Sequence, residues 1–175
     1  MREKEINHAF VDGQNLIYNT KRRVEKPWAI DLERFRKYLR DKYDVDKAYY
    51  FVGAYNSRFE KLYGALNGYG YEVVFREHDP KSKSSKKGNV DTDIVFLSMK
   101  EIADKEKFDK ILLVSDDGDY YRMVDYMISK KKFKKLLAPS RINISHLYKV
   151  GIADSFIDYL DKAEVKKKII LKKGA

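Results

Sequence analysis

Short runs of β-branched and aromatic residues alternate along this chain with segments whose apolar residues recur at helical spacing. The runs are typical of buried strands, and the spaced segments are typical of amphipathic helices. Strands separated by helices indicate parallel βαβ units with right-handed crossovers. The pattern therefore predicts an α/β fold, a three-layer α/β/α sandwich around a parallel sheet. The five predicted strands are residues 8–11, 47–52, 71–75, 110–114 and 135–138.

The helices are predicted from the apolar positions between these strands. A loop is expected directly after the first strand, and a helical segment is expected at 146–160, in two pieces that break at Gly151. We predict one domain at 1–163, followed by a basic tail at 164–175 that forms a terminal strand or a loose end. Four other helices are predicted. One carries Leu32, Phe35 and Leu39, another carries Phe59, Leu62, Tyr63 and Leu66, and the last two are the segments 90–103 and 120–128.

Aspartates follow the first and the fourth predicted strand. Asp12 comes directly after Val11, and Asp117 and Asp119 flank Gly118 just past the fourth strand. Acids at these places lie at the carboxyl edge of the sheet, where open α/β sheets bind their ligands. Two carboxylates about 4 Å apart repel by on the order of 4 kcal/mol at an effective dielectric constant of about 20. The cluster therefore predicts a bound Mg²⁺ or Mn²⁺, because hard oxygen ligands suit these ions.

A further acid, Asp91, begins the helix predicted at 90–103. The apolar face of that helix carries Ile94, Val95, Ser98 and Ile102, and Asp91 continues this face. Asp93 lies about 200° away around the helix axis and is expected to face outward. Asp91 is therefore predicted to point towards the sheet. Asp116 is expected to point to solvent.

Each of these acids also has a purely structural interpretation. An aspartate before a glycine, such as Asp12, is common in turns. A helix N-terminus favours an aspartate, and this preference accounts for either Asp117 or Asp119. It accounts less well for the presence of both. Asn15 either orients Asp12 or a bound phosphate, or it caps a helix.

The composition narrows the classes of function. Lys and Arg number 37 against 27 Asp and Glu, a net charge of +10 that favours a polyanionic partner. The chain has no cysteine, which excludes disulfides, zinc–thiolate sites and cysteine nucleophiles. No apolar run is long enough to cross a membrane, and no secretory signal is visible, so the cytoplasm is favoured. The 14 tyrosines and 9 phenylalanines offer stacking surfaces, although most should lie in the core.

Other chemistries find little support. No glycine-rich phosphate-binding motif and no convincing Ser-His-Asp order occur, which disfavours nucleotide hydrolysis and dinucleotide binding. His8 lies inside a strand and is expected to be a satisfied core residue, whereas His78 and His146 are expected at the surface. A phosphatase or phospho-receiver domain is disfavoured because the first strand offers a lone aspartate and no aspartate follows Phe75.

Three motifs in order resemble the NYN domain, the LabA-like branch of the PIN-like nucleases. A strand leading into V-D-G-x-N corresponds to residues 11–15, and K-G-x-V-D before a helix corresponds to residues 87–91. The third motif, S-x-D-x-D followed by Phe or Tyr, corresponds to residues 115–120. Pro139 and the A-D-x-F at 153–156 resemble the closing pattern of the family, so the resemblance covers residues 6–160.

The resemblance implies a PIN-like fold of strand order 3-2-1-4-5, in which strands one and four are neighbours. It also implies metal-dependent cleavage of RNA. Asp12, Asp91, Asp117 and Asp119 are then the expected catalytic residues and ligands of one or two Mg²⁺ or Mn²⁺ ions. We expect Asn15, Ser115 and Lys87 to position phosphate or water, and Lys81, Lys83 and Lys86, in the polar loop before Asp91, to contact the RNA backbone.

The sequence thus predicts a metal-dependent endoribonuclease that acts on single-stranded RNA. The alternative is a catalytically silent RNA-binding or regulatory module that keeps the fold and its acids. No small-molecule cofactor and no membrane partner are expected, and a homodimer is left open.

Overall fold

Six strands form one parallel sheet in the computed structural model, which describes residues 4–22, 25–76, 90–105 and 107–172. The strand order is β3-β2-β1-β4-β5-β6, and every neighbouring pair is parallel. The predicted order 3-2-1-4-5 is confirmed, and β6 adds one strand beside β5. The strands are β1 (Asn7–Asp12), β2 (Val45–Val52), β3 (Glu72–Phe75), β4 (Lys110–Val114), β5 (Phe133–Ala138) and β6 (Ile157–Tyr159).

Helices cover both faces of this sheet and give the predicted three layers. Local signals set their ends. At α2, for example, the side chain of Asp31 accepts a hydrogen bond from the backbone N–H of Arg34, and Asp44 ends the helix in the left-handed conformation at φ 54°. The described helices are α1 (Gly13–Lys21), α2 (Leu32–Tyr43), α3 (Glu60–Gly68), α4 (Val90–Ala103), α5 (Tyr121–Ser129), α6 (His146–Gly151) and α7 (Ala163–Ile169).

Two apolar cores separate the layers. Side chains alternate between the faces of each strand, so Val11 packs into one core and Phe10 into the other. The first core includes Leu39 of α2, and the second includes Ile94 of α4. Burying one such side chain contributes about 1.5–3 kcal/mol. Among the described residues, no helix combines the length and apolar character that a membrane span needs.

The sequence prediction was wrong at three places. The loop expected after the first strand is helix α1, which begins directly at Gly13. The second helical piece expected within 146–160 is instead a 3-10 turn, Asp154–Phe156, followed by β6. Ile157 pairs with Leu136 of β5, which would otherwise be an exposed sheet edge.

The third place is the segment expected to be a strand or a loose basic end. Residues 163–169 form α7, because Val165 and Ile169 recur at helical spacing and bury in the first core. The N–H of Asp31 donates to the carbonyl of Ile169, which joins this helix to the start of α2. The domain boundary placed at residue 163 stays a prediction.

The histidines lie where the sequence places them, as far as the structure describes them. His8 is buried, and its Nδ1 lies 2.8 Å from Oε2 of Glu101. The hydroxyl of Tyr49 donates to Oε1 of the same carboxylate at 2.6 Å, so His8 belongs to a satisfied buried network. His146 is exposed, and His78 lies outside the described residues.

Candidate metal centre

The acidic residues meet where two neighbouring strands end. Val11 of β1 lies opposite Val114 of β4, so the segments that follow them leave the sheet side by side. From β1 the chain continues to β2 on one side, and from β4 it continues to β5 on the other. The connections therefore diverge at this point and leave a crevice at the carboxyl edge, which is the usual ligand site of such sheets.

Three carboxylates converge in this crevice. Asp91, Asp117 and Asp119 each offer one oxygen, and these oxygens all lie within 4.8 Å of one another. Asp91 and Asp117 are half-buried, and Asp119 is exposed. A set of hard carboxylate oxygens at this separation fits Mg²⁺ or Mn²⁺. We call these three residues the acid group.

The turn after β4 fixes two members of the acid group. Oδ1 of Asp117 accepts a hydrogen bond from the N–H of Asp119 at 3.0 Å, and the buried hydroxyl of Tyr148 donates to the carbonyl of Asp117 at 2.6 Å. Gly118 between them packs closely, since a Cβ there would lie 2.4 Å from Oγ of Ser145. The helix-capping interpretation of Asp117 is therefore correct, and it coexists with membership of the group.

Helix α4 supplies the third carboxylate. Asp91 lies in its first turn, where the partial positive charge of the helix N-terminus favours an acid. Ile94 and Ser98 bury towards the sheet as predicted, and Val95 and Ile102 are partly buried. Asp93, predicted to face outward, is half-buried and does not belong to the acid group.

Asp12 contacts the acid group through a tyrosine. Its side chain is only 4 % exposed; Oδ1 accepts from the N–H of Asn15 at 2.9 Å, and Oδ2 accepts from the hydroxyl of Tyr120 at 2.9 Å. Burial raises the pKa of Asp12, and the negative charges of Asp91 and Asp117 raise it further against these two hydrogen bonds. The buried carboxylate is thus held by protein donors.

Tyr120 links Asp12 to the acid group. Its hydroxyl, in a fully buried side chain, lies 2.9 Å from Oδ2 of Asp12 and 2.5 Å from Oδ1 of Asp91. Burial and the two neighbouring carboxylates raise the pKa of Tyr120, so it stays a protonated donor. A hydroxyl carries one proton, and it therefore donates to one of the two carboxylates at a time.

Asp116 does not point to solvent, which corrects the sequence prediction. The residue is 4 % exposed, and its Oδ1 accepts from Nδ2 of Asn15 at 2.9 Å and from Nδ2 of Asn19 at 2.7 Å. The two amides, which α1 presents one helical turn apart, offset only part of the cost of burial, because Oδ2 of Asp116 is buried without a hydrogen-bond partner among the described residues. Burial, with the charge of Asp117, raises the pKa of Asp116 to about 6.

The side chains of Asn15 and Ser115 form hydrogen bonds with other groups of the protein. The backbone N–H of Asn15 orients Asp12, which is one of the roles that the sequence left open, but its side chain contacts Asp116, donating through Nδ2 and accepting at Oδ1 from the N–H of Asp116 at 3.2 Å. Oγ of Ser115 accepts from the N–H of Asp117 at 3.2 Å. Their contact with phosphate stays a prediction. The four lysines at positions 81, 83, 86 and 87 lie outside the described residues.

Sequence reasoning missed three participants, Tyr120, Tyr148 and Asn19. Tyr120 ends the third motif directly after Asp119, and a tyrosine that is buried usually finds a hydrogen-bond partner for its hydroxyl. Asn19 lies four residues after Asn15, so both face the same side of α1. That signal was hidden because a loop was expected there.

Comparisons with known proteins identify the family and the fold of this chain. The family model for the NYN domain matches residues 9–162. The low amplitude and bright protein LabA of Synechococcus elongatus is 25 % identical over 131 residues, which cover 70 % of this chain and 67 % of LabA. The crystal structure of a protein of unknown function from Vibrio parahaemolyticus shares the fold, with a TM-score of 0.72 and 23 % identity over 98 % of this chain and 100 % of that one.

Proposed function

This chain belongs to the NYN domain family, a nuclease-type family, and on that basis we propose that it is a metal-dependent ribonuclease that hydrolyses phosphodiester bonds in RNA. The observation that carries the proposal is the convergence of Asp91, Asp117 and Asp119 at the switch point of the sheet. A family of nucleases implies a nucleic-acid substrate, and the net charge of +10 favours its approach.

The residues present fit a hard divalent cation. Asp91, Asp117 and Asp119 would hold one or two Mg²⁺ or Mn²⁺ ions, and Asp12 is proposed as the fourth acid of the centre. When bound, such an ion supplies Lewis-acid stabilisation of the charge that develops on the phosphate and lowers the pKa of the attacking water.

The protein's own side chains orient this centre. Tyr120 and the N–H of Asn15 hold Asp12, while Tyr148 and the N–H of Asp119 hold Asp117. Carboxylates fixed in this way need little reorganisation when substrate binds, which is the condition for electrostatic catalysis.

The finer features of the function are proposals as well. We propose single-stranded RNA as the substrate, endonucleolytic cleavage, and the cytoplasm as the location. Asn15, Ser115 and Lys87 are proposed to position phosphate or water, and Lys81, Lys83 and Lys86 to contact the RNA backbone. The alternative, a silent RNA-binding module, is favoured by one observation: both oxygens of Asp12 accept hydrogen bonds from protein donors.

A cleavage assay decides between the two functions. Labelled RNA and DNA are incubated with the protein in Mn²⁺, Mg²⁺ or EDTA, beside the variants Asp12→Asn and Asp117→Asn. Asp125→Asn, which changes an exposed acid of α5, is the matched control. We expect cleavage of RNA that EDTA stops, that Asp125→Asn retains, and that the other two variants lower by orders of magnitude. Full activity in Asp12→Asn and Asp117→Asn would refute the nuclease, and an inactive wild type on all substrates would support the silent module.

A further inference from the structure

A cluster of aromatic rings lies at the carboxyl ends of the strands, as the acid group does. Tyr55, Tyr63 and Phe75 pack together, with ring centroids 5.7 Å apart for Tyr55 and Tyr63, 5.5 Å for Tyr55 and Phe75, and 4.8 Å for Tyr63 and Phe75. Tyr63 is buried, whereas Tyr55 is 57 % exposed. Phe59, close in sequence, is 51 % exposed. Two large rings therefore face solvent, and one of them is supported from beneath.

The sheet register connects this cluster to the acid group. Asp12 lies opposite Phe51, and Val52 opposite Phe75, so β1, β2 and β3 end at the same level. Two strand spacings, roughly 10 Å, separate the ends of β1 and β3. A single strand of a few nucleotides covers that distance.

The surface between the acid group and the aromatic rings is continuous. A Cβ on Gly53 would lie 3.1 Å from Nε2 of Gln14, so the side chain that follows Gly13 reaches over the end of β2. The carbonyl of Gly53 accepts a hydrogen bond from the N–H of Arg76 at 3.4 Å. The segments after β1, β2 and β3 thus form one surface along the edge of the sheet.

Cationic side chains accompany the rings. Arg58 and Lys61 are exposed, and Arg76 is half-buried, with its Nη1 buried and without a hydrogen-bond partner among the described residues. A buried guanidinium nitrogen that lacks an acceptor is costly, and a phosphate oxygen would supply one. The region also contains two acids, Glu60 and Glu72. The three cations and these two acids together carry a net charge of +1.

We propose that Tyr55 and Phe59 form a stacking platform for an unpaired base of a single-stranded nucleic acid whose scissile phosphate lies at the acid group. This inference rests on the proposed function. Arg76 and Arg58 contact the phosphates of the same strand. A duplex does not fit this role, because its bases are already stacked on one another, whereas an extruded base presents a free face to an exposed ring. The packing of Tyr55 against Tyr63 and Phe75 fixes its ring before binding, which lowers the entropic cost of the contact.

Binding in EDTA tests the platform separately from catalysis. A short RNA that carries 2-aminopurine reports stacking by fluorescence quenching, and its anisotropy reports affinity. The variants are Tyr55→Leu and Phe59→Leu, with Tyr69→Leu as the control. Tyr69 is also an exposed tyrosine, but it precedes β3 and so lies at the opposite edge of the sheet. Tyr55→Phe keeps the ring.

We expect Tyr55→Leu to weaken binding about fivefold or more, the factor that one lost base stack gives, and to reduce the quenching. Tyr55→Phe and Tyr69→Leu should bind like wild type. An oligonucleotide with abasic sites should bind the wild type as weakly as the intact one binds Tyr55→Leu.

Four patterns of results overturn the platform. Equal affinity of wild type for intact and abasic oligonucleotides excludes base stacking, and this comparison needs no variant to fold. Unchanged binding and quenching in both leucine variants, with metal-dependent cleavage retained, removes the platform but leaves the nuclease in place. A wild type that binds no nucleic acid and cleaves none removes the proposed function and the platform together. A wild type that self-associates in solution, with Tyr55→Leu restoring the monomer, assigns these rings to a second copy of the chain instead.

Discussion

The hydroxyl of Tyr120 lies 2.9 Å from Oδ2 of Asp12, although 108 positions separate the two residues in the chain. The same hydroxyl reaches Asp91 on a third segment. Each of the three motifs therefore contributes one residue to this contact. A buried carboxylate next to two other acids persists in the folded protein because such donors compensate for its desolvation.

Removing that hydroxyl should destabilise the metal-free protein. In Tyr120→Phe, Oδ2 of Asp12 loses its donor while the carboxylate stays buried, which costs about 1–3 kcal/mol. We expect the Tm in EDTA to fall by several degrees. Tyr126→Phe, at an exposed position of α5, should melt like wild type. Equal melting temperatures for the two variants would mean that the Tyr120–Asp12 contact contributes nothing to stability.

Asp91 and Asp93 should differ in their effect on metal binding. Asp91→Asn removes one of the three converging carboxylates, whereas Asp93→Asn changes an acid outside the group on the same helix turn. We expect Asp91→Asn to weaken Mn²⁺ binding tenfold or more and to abolish cleavage, and Asp93→Asn to change both by less than about twofold. Isothermal titration calorimetry with Mn²⁺ measures the first effect without substrate. The reverse ranking would place the ion on Asp93 and refute the helix phase assigned to α4.

Asp116 should make stability depend on pH. Its pKa is raised to about 6, so the folded protein holds this proton more tightly than the unfolded chain does. The stabilisation is complete below the ordinary aspartate pKa of about 4 and is lost as the pH rises through about 6. Asp116→Asn can still accept hydrogen bonds from Asn15 and Asn19 but carries no charge.

We therefore expect Asp116→Asn in EDTA to be more stable than wild type at pH 7.5, by on the order of 1–3 kcal/mol. The difference should shrink towards zero at pH 4. Urea denaturation across this pH range measures it. A constant difference between the two proteins at all pH values would show that Asp116 does not titrate differently in the folded and unfolded states.

Two glycines should respond oppositely to the same substitution. At Gly13, a Cβ would lie 2.3 Å from Cε1 of Tyr50 and 2.7 Å from the carbonyl oxygen of Phe51, so Gly13→Ala displaces the start of α1. At Gly64, inside α3, the new Cβ would meet no described atom from outside its own stretch of helix within 4 Å. We expect Gly13→Ala to lower the free energy of unfolding by several kcal/mol, and Gly64→Ala to raise it by up to about 1 kcal/mol. Thermal melting of both variants is the measurement, and a stable Gly13→Ala would show that β2 yields at this contact.

The central sheet was predictable from sequence because its strands carry runs of apolar residues, such as residues 48–52 of β2 and 136–138 of β5. β6 was missed because its three residues include Asp158, and an edge strand this short shows no clear alternation. Asp116 was expected to point to solvent, whereas two amides on α1 hydrogen-bond to it inside the fold. Those amides are about a hundred residues away in the chain, so no local pattern reveals them.

The pairing of β1 with β4 has a consequence for how the chain folds. The contact of Asn15 with Asp116 spans 101 positions, so the two halves of the sheet can each form locally before this long-range pairing closes. We expect carboxylates from both halves to approach one another only in that last step, where their repulsion opposes it. Divalent cations should therefore accelerate refolding, whereas monovalent salt at equal ionic strength should do so less. We therefore expect the crevice to be the slowest part of the molecule to assemble, because the acids that suit it for chemistry also repel one another.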